Sequence, residues 1–186
     1  MQTKAPAYLL SVFGKDQPGI ISAVTGILFQ KGGNLEDISM TILAGEFAMM
    51  LLVSFRKTAS PKIARELGQW MKSRRLIYFW KPVKAADLIH GDRQPANTTR
   101  YLISAAGRDR TGIVHQVSRF MAQKKLNITD LNSKLIGRGK TAVYAMLLEA
   151  DVPRRMKVSQ LETGLGKLGR KLKLEIRIRP VEHLNL

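Results

Sequence analysis

The chain has 186 residues, with 31 lysines and arginines against 14 aspartates and glutamates, a formal net charge of +17, and no cysteine. Its length suits one domain or two small ones, and an apolar fraction of 45% excludes a wholly disordered chain. Without cysteine there are no disulfides, thiol nucleophiles or cysteine-based zinc sites, and His90, His115 and His183 lie too far apart in sequence to suggest a metal centre.

The first seven residues are short and polar, and Tyr8–Phe13 is too brief for the core of a secretory leader. The longest apolar run, Phe47–Val53, falls far below the ~20 residues needed to cross a bilayer. A cytoplasmic protein without cofactor or metal is expected.

Tyr8–Phe13 reads as a buried strand closed by Gly14. A helix follows, with Ile20, Val24, Ile27 and Leu28 at helical spacing, and stops at Gly32-Gly33. Leu35–Leu43 and Phe47–Phe55 read as strands joined by a hairpin at Gly45. A second helix follows Pro61, with Ile63, Leu67, Trp70 and Met71 on one face. Arg74–Lys81 then interleaves bases and aromatics as a fourth strand, whose large residues suit a core. Ala85–Thr98, with Gly91, Pro95 and no periodicity, reads as a linker.

The order then recurs. Tyr101–Ala106 is a strand, and Ile113, Val117, Phe120 and Met121 form a helical stripe that stops near Lys124-Lys125. Ile128–Ile136 and Thr141–Glu149 are strands around Gly137 and Gly139. A helix after Pro153 carries Leu161, Leu165, Leu168 and Leu172, weakened by about 1 kcal/mol at each of Gly164, Gly166 and Gly169. Leu174, Ile176 and Ile178 alternate with Lys173, Glu175, Arg177 and Arg179 in a last strand with one buried face.

The recurrence is a duplication. Gly14-Lys15-Asp16-Gln17-Pro18-Gly19-Ile20-Ile21 returns 93 residues later as Gly107-Arg108-Asp109-Arg110-Thr111-Gly112-Ile113-Val114, and the same offset carries Asn34–Ile38 onto Asn127–Leu131. The expected fold is α+β: two ferredoxin-like βαββαβ domains, residues 1–84 and 99–186 around a linker at 85–98, each an antiparallel four-stranded sheet with two helices on one face.

Two local features could carry chemistry. The Gly-x-Asp-x-(Pro/Thr)-Gly turn is good helix-capping chemistry, with Asp16 or Asp109 accepting from free helix N–H groups and Pro18 preorganised for the first turn. The same N–H groups and glycine-lined space could instead cradle a small carboxylate. Asn34 and Asn127, expected to lie near that turn, could serve the ammonium and carboxylate of an amino acid, or simply end a helix.

With both features repeated, the chain resembles the ACT domain, a βαββαβ module that binds amino acids and regulates metabolism. A two-ACT chain of this length with no catalytic domain resembles the glycine cleavage system transcriptional repressor family. That resemblance implies a non-enzymatic sensor of a small amino acid such as glycine, acting through a protein partner such as a DNA-binding transcriptional activator and assembling as a homodimer or higher oligomer. It implies ligand-binding residues between the strand-one turn of one ACT unit and strand two of its neighbour: Gly14, Asp16, Pro18, Gly19 and Asn34 in the first copy, and Gly107, Asp109, Gly112 and Asn127 in the second. The second copy departs at Thr111 and by an extra residue near Arg138–Lys140.

Enzyme chemistry finds no support: there is no Ser-His-Asp set, paired carboxylates or GxxxxGK[ST] loop, and His115 suits a surface. The alternative is a basic nucleic-acid-binding protein of the same topology, but the third strands, Phe47–Val53 and Ala142–Leu148, are aliphatic and methionine-rich, without a stacking set. The charge is uneven: residues 1–93 carry a net +6 and residues 94–186 a net +11, much of it within Arg154–Arg179. A basic face separate from the two turns is expected.

Overall fold

The computed structural model describes residues 6–84, 95–139 and 142–181. The chain divides into two compact units, Met1–Asp92 and Arg93–Leu186. Unit 1 holds β1 (Ala7–Lys15), α1 (Ile20–Gln30), β2 (Gly33–Leu43), β3 (Glu46–Phe55), α2 (Pro61–Ser73) and β4 (Ile77–Val83). Unit 2 holds β5 (Thr98–Arg108), α3 (Ile113–Gln123), β6 (Asn127–Ile136), β7 (Val143–Pro153), α4 (Val158–Leu172) and β8 (Leu174–Pro180). Both sheets are antiparallel, ordered β2-β3-β1-β4 and β6-β7-β5-β8. The βαββαβ order therefore occurs twice. Most of the predicted linker lies outside the described residues.

Alternation builds each core. Leu10 and Val12 of β1 and Met49, Leu51 and Val53 of β3 point to one side, where Ile20, Val24 and Leu28 of α1 meet Ile63, Leu67 and Met71 of α2. In unit 2, Ile103, Met146 and Leu148 meet Val117, Met121, Leu161 and Leu165 in the same way. Both helices of a unit thus cover one sheet face and leave the other open. The predicted stripes on all four helices face these cores, because apolar side chains at helical spacing leave water only when packed together.

Several boundaries differ from the sequence reading. β7 continues past Glu149 to Pro153, because Asp151 is buried opposite Arg100 rather than leaving the sheet. α4 runs unbroken through its glycines. A side chain at Gly164 would come within 2.6 Å of the Phe120 ring, and one at Gly169 within 2.7 Å of the Leu174 carbonyl. These glycines let α4 approach α3 and β8 closely, a packing gain that offsets their poor helix propensity. The second hairpin is four residues longer than the first, not one: Ile42 pairs with Phe47, whereas the matching Leu135 pairs with Tyr144. In β4, Tyr78 and Trp80 pack against the core as expected of strand-four aromatics. Ile77 and Phe79 do not; they stand on the open face.

Candidate functional site

The turn after β1 is tied to two neighbours. The Asp16 N–H donates to the Gly45 carbonyl at 3.1 Å, and Gln17 Nε2 donates to the Arg74 carbonyl at 3.2 Å. The turn, the β2–β3 hairpin and the α2–β4 connection therefore share one end of unit 1. Helix α1 starts only at Ile20, with Gly19 in the left-handed conformation (φ 89°) as its N-cap and no side chain capping it; Gly112 (φ 86°) repeats this before α3. This corrects the capping reading: Asp16 and Asp109 do not cap, and Pro18 lies in the preceding turn rather than in the helix. The first-turn N–H groups of both helices are left without a side-chain acceptor, the condition under which a helix N-terminus can receive a carboxylate.

The two glycine pairs of the motif have different duties. Gly19 and Gly112 face open space, with no atom closer than 3.9 Å to an added Cβ. Gly14 and Gly107 are packing positions. A Cβ would meet Leu76 Cδ2 at 2.8 Å at the first and the Lys173 carbonyl oxygen at 2.6 Å at the second.

Asn34 is not near that turn. It pairs across the ladder with Ser54, which pairs with Ala7, the first residue of β1. Gly14 lies seven residues further along β1, about 23 Å away at ~3.3 Å per residue. Strand two opens at the far end because α1 carries the chain back along the sheet before β2 begins. Asn127 is placed likewise, opposite Asp151 and level with Arg100. One small amino acid cannot touch both features within one unit.

A residue the sequence reading passed over sits beside Asn34. A bulge between Leu35 and Asp37 turns Glu36 out of the ladder, where its Oε1 accepts from Ser54 Oγ at 2.5 Å and Asn34 Nδ2 at 3.0 Å. The hydrogen bond from Ser54, then that from Asn34, holds the Glu36 carboxyl below its usual pKa, so it is ionised at neutral pH. Bulge residues are hard to see in a sequence, which made Glu36 indistinguishable from a solvated strand residue. Next to it opens a groove of about 800 Å³ lined by Phe29, Gly33, Asn34, Ser54, Arg56 and Lys62, among others. Unit 2 solves this end differently: the bulge repeats between Ile128 and Asp130, Thr129 replaces Glu36, and the carboxylate is Asp151 on β7, accepting from Arg100 Nε at 3.1 Å.

The basic residues of unit 2 stand on several elements. Lys173 sets its backbone carbonyl against Gly107, Arg154, Arg155 and Lys157 follow β7 at the Asn127 end, and Arg177 and Arg179 stand on β8. His115 is exposed, and His90 and His183 lie outside the described residues. Among the described residues no group of three or more His, Asp or Glu could hold a metal, and no helix is long and apolar enough to cross a membrane.

A family model for the ACT domain matches residues 7–80 and again 99–179. The chain belongs to the ACT domain family. Among curated relatives, a UPF0237 protein of Methanopyrus kandleri is 42% identical over 45 residues, covering 24% of this chain and 50% of that protein. A UPF0237 protein of Streptococcus pneumoniae is 44% identical over 46 residues, 25% of this chain and 52% of that one. The chain thus spans about half the length of the curated relatives it matches. Two solved structures share the whole tandem fold. An unknown protein from Galdieria sulphuraria superposes with a TM-score of 0.82 at 22% identity, covering 96% of this chain and all of that one. A candidate glycine cleavage system transcriptional repressor superposes with a TM-score of 0.63 at 18% identity, covering 97% and 100%. Membership of the ACT domain family implies small-ligand regulatory binding.

Proposed function

We propose that this ACT protein senses a small amino acid at a site completed by a second ACT unit, and passes that signal to a protein partner. The observation that carries this reading is the bare edge of β2. Among the described residues strand β2 has no neighbour on its outer side, and from Ile38 onward it lacks the lysines and prolines that usually guard an edge. On its helix side, Ile38, Met40 and Ile42 remain 42–50% exposed, beside Ile21 and a 79% exposed Phe29 on α1. The matching edge in unit 2 is interrupted by Ser133 and carries Lys134.

Antiparallel pairing of two such edges about a two-fold axis buries this band. It also brings Asn34 and Glu36 of one copy to the hairpin end of the other, where the Gly14–Gly19 turn stands. The two features that lie about 23 Å apart within a unit then meet. The chemistry matches an amino acid: the ionised Glu36 and the Asn34 carbonyl receive the ammonium, and the open N–H groups of α1 receive the carboxylate. The open space at Gly19 leaves the start of α1 accessible to a ligand, and glycine is the amino acid to test first. The shared tandem fold of the candidate repressor supports a role in transcriptional control of glycine cleavage through a DNA-binding protein partner, without enzymatic activity of the chain's own.

Titration calorimetry of the full chain against a panel of amino acids tests this. Glycine or another small amino acid binds at millimolar concentration or tighter, and Asn34→Ala weakens it at least tenfold, about 1.4 kcal/mol. Absence of binding by every amino acid at millimolar concentration contradicts the reading.

A further inference from the structure

The open face of the unit 1 sheet is apolar where that of unit 2 is charged. Rows across the strands read Ile77–Phe13–Ala48–Thr41, then Phe79–Ser11–Met50–Ser39, then Lys81–Leu9–Leu52–Asp37. Ile77 is 63% exposed, Phe79 62% and Met50 51%, with Phe13 edge-on to Phe79 at 6.5 Å between ring centroids. At the matching register positions unit 2 has Glu175 for Ile77, Arg177 for Phe79, Ala106 for Phe13 and Glu149 for Leu52. Unit 2 keeps an apolar residue at the Met50 position, Leu147, 49% exposed, but has no large apolar residue where unit 1 has Ile77, Phe79 and Phe13, and that exposed cluster needs another explanation.

We propose that this face docks against the same face of a second copy of the chain, an interface separate from the β2 edge. The two-fold axis runs along the strands, so that β4 lies over the partner's β2 and β1 over its β3. Each row then meets its own image reversed, and large residues fall on small ones. Phe13 packs over the partner's Ala48, Phe79 over the partner's Ser39, Ile77 over the partner's Thr41 and Met50 over the partner's Ser11. Leu9 meets the partner's Leu52. The charges also match: Lys81 and Asp37 make no ion pair among the described residues, and this axis sets Lys81 over the partner's Asp37 on both sides of the interface. An axis across the strands instead stacks Phe79 on itself and sets Lys81 on Ile77, losing both kinds of complementarity. Aligned packing of two sheets about 10 Å apart is an ordinary solution for such faces. A single-stranded nucleic acid also stacks on exposed aromatics, but it needs a basic surround. Here the charges of the face are Lys81, Asp37, the Glu36 carboxylate held by Ser54 and a Lys15 already paired with Glu46, a set with no basic excess, which favours protein.

Sedimentation equilibrium of the full chain tests this, using Phe79→Arg, which installs the residue that unit 2 carries at this position and so should not disturb folding. The expected result is that wild type has twice the mass of F79R at micromolar concentration. Lys81→Asp alone weakens association at least about tenfold by setting like charges together, and Lys81→Asp with Asp37→Lys restores it. A mass unchanged by F79R overturns the proposal, whether the face is bare or covered by something else. Failure of the double charge reversal to restore association overturns the stated axis and with it the proposal. Salt-sensitive binding of an oligonucleotide, abolished by F79R, overturns it in favour of nucleic acid. Loss of amino-acid binding is not among these outcomes, so the sensor reading stands or falls separately.

Discussion

Replacing Asp151 with alanine lowers the stability of unit 2 by about 3 kcal/mol, the usual cost of removing one member of a buried ion pair. Asp151 is 5% exposed, the one buried charged residue among the described residues, and its carboxylate receives Arg100 Nε at 3.1 Å from the adjacent strand. The cost arises because Arg100, itself largely buried, is left without that carboxylate in a site shielded from water. For a unit of this size the shift in midpoint is about 15 °C. Hydrogen exchange locates the loss in β5–β8, while β1–β4 keep their protection. Replacing both Arg100 and Asp151 with leucine recovers much of the loss, since apolar residues tolerate that site where a single charge does not. A change below 1 kcal/mol for Asp151→Ala would show that water reaches the pair.

Gly107→Ala is expected to cost about 2 kcal/mol, which combines backbone strain with the clash it creates. At φ 159° the backbone is awkward for any side chain, and the new Cβ would stand 2.6 Å from a carbonyl oxygen that belongs to backbone and cannot swing aside. Gly14→Ala is milder, because the atom met first is Leu76 Cδ2, the end of a side chain that can turn. Thermal unfolding of the two variants should rank them in that order. Equal effects would show that conformation alone, and not the approach of Lys173, sets the cost.

Much of the fold was legible because it depends on periodicity and repetition. Alternation along Leu174–Ile178 and the helical stripes such as Ile20, Val24 and Leu28 are dictated by which side chains leave water, and each copy vouched for the other. The site was less legible, since it depends on what the topology does to distance. Asn34 follows the first helix by a few residues, yet that helix carries it to the opposite end of the sheet from Gly14. The bulge that turns out Glu36 has no residue signature, and Asp151 fell beyond the strand expected to end at Glu149, because its partner lies 51 residues away at Arg100. Capping failed as a reading because Gly19, not Asp16, holds the N-cap position, by virtue of a left-handed backbone that glycine adopts at little cost.

The separation of Asn34 and Glu36 from the Gly14–Gly19 turn makes assembly part of sensing. A ligand that binds only where two copies meet must favour their association by mass action, and assembly must in turn raise affinity. The most direct measurement is the sedimentation mass of the Phe79→Arg protein, in which the β2 edge remains as the proposed contact, with and without a saturating amino acid identified by calorimetry. The mass should rise from one chain toward two when the amino acid is added, and should fail to rise when Asn34 is also replaced with alanine. An amino acid that binds the chain and leaves its mass unchanged would contradict a site shared between two ACT units.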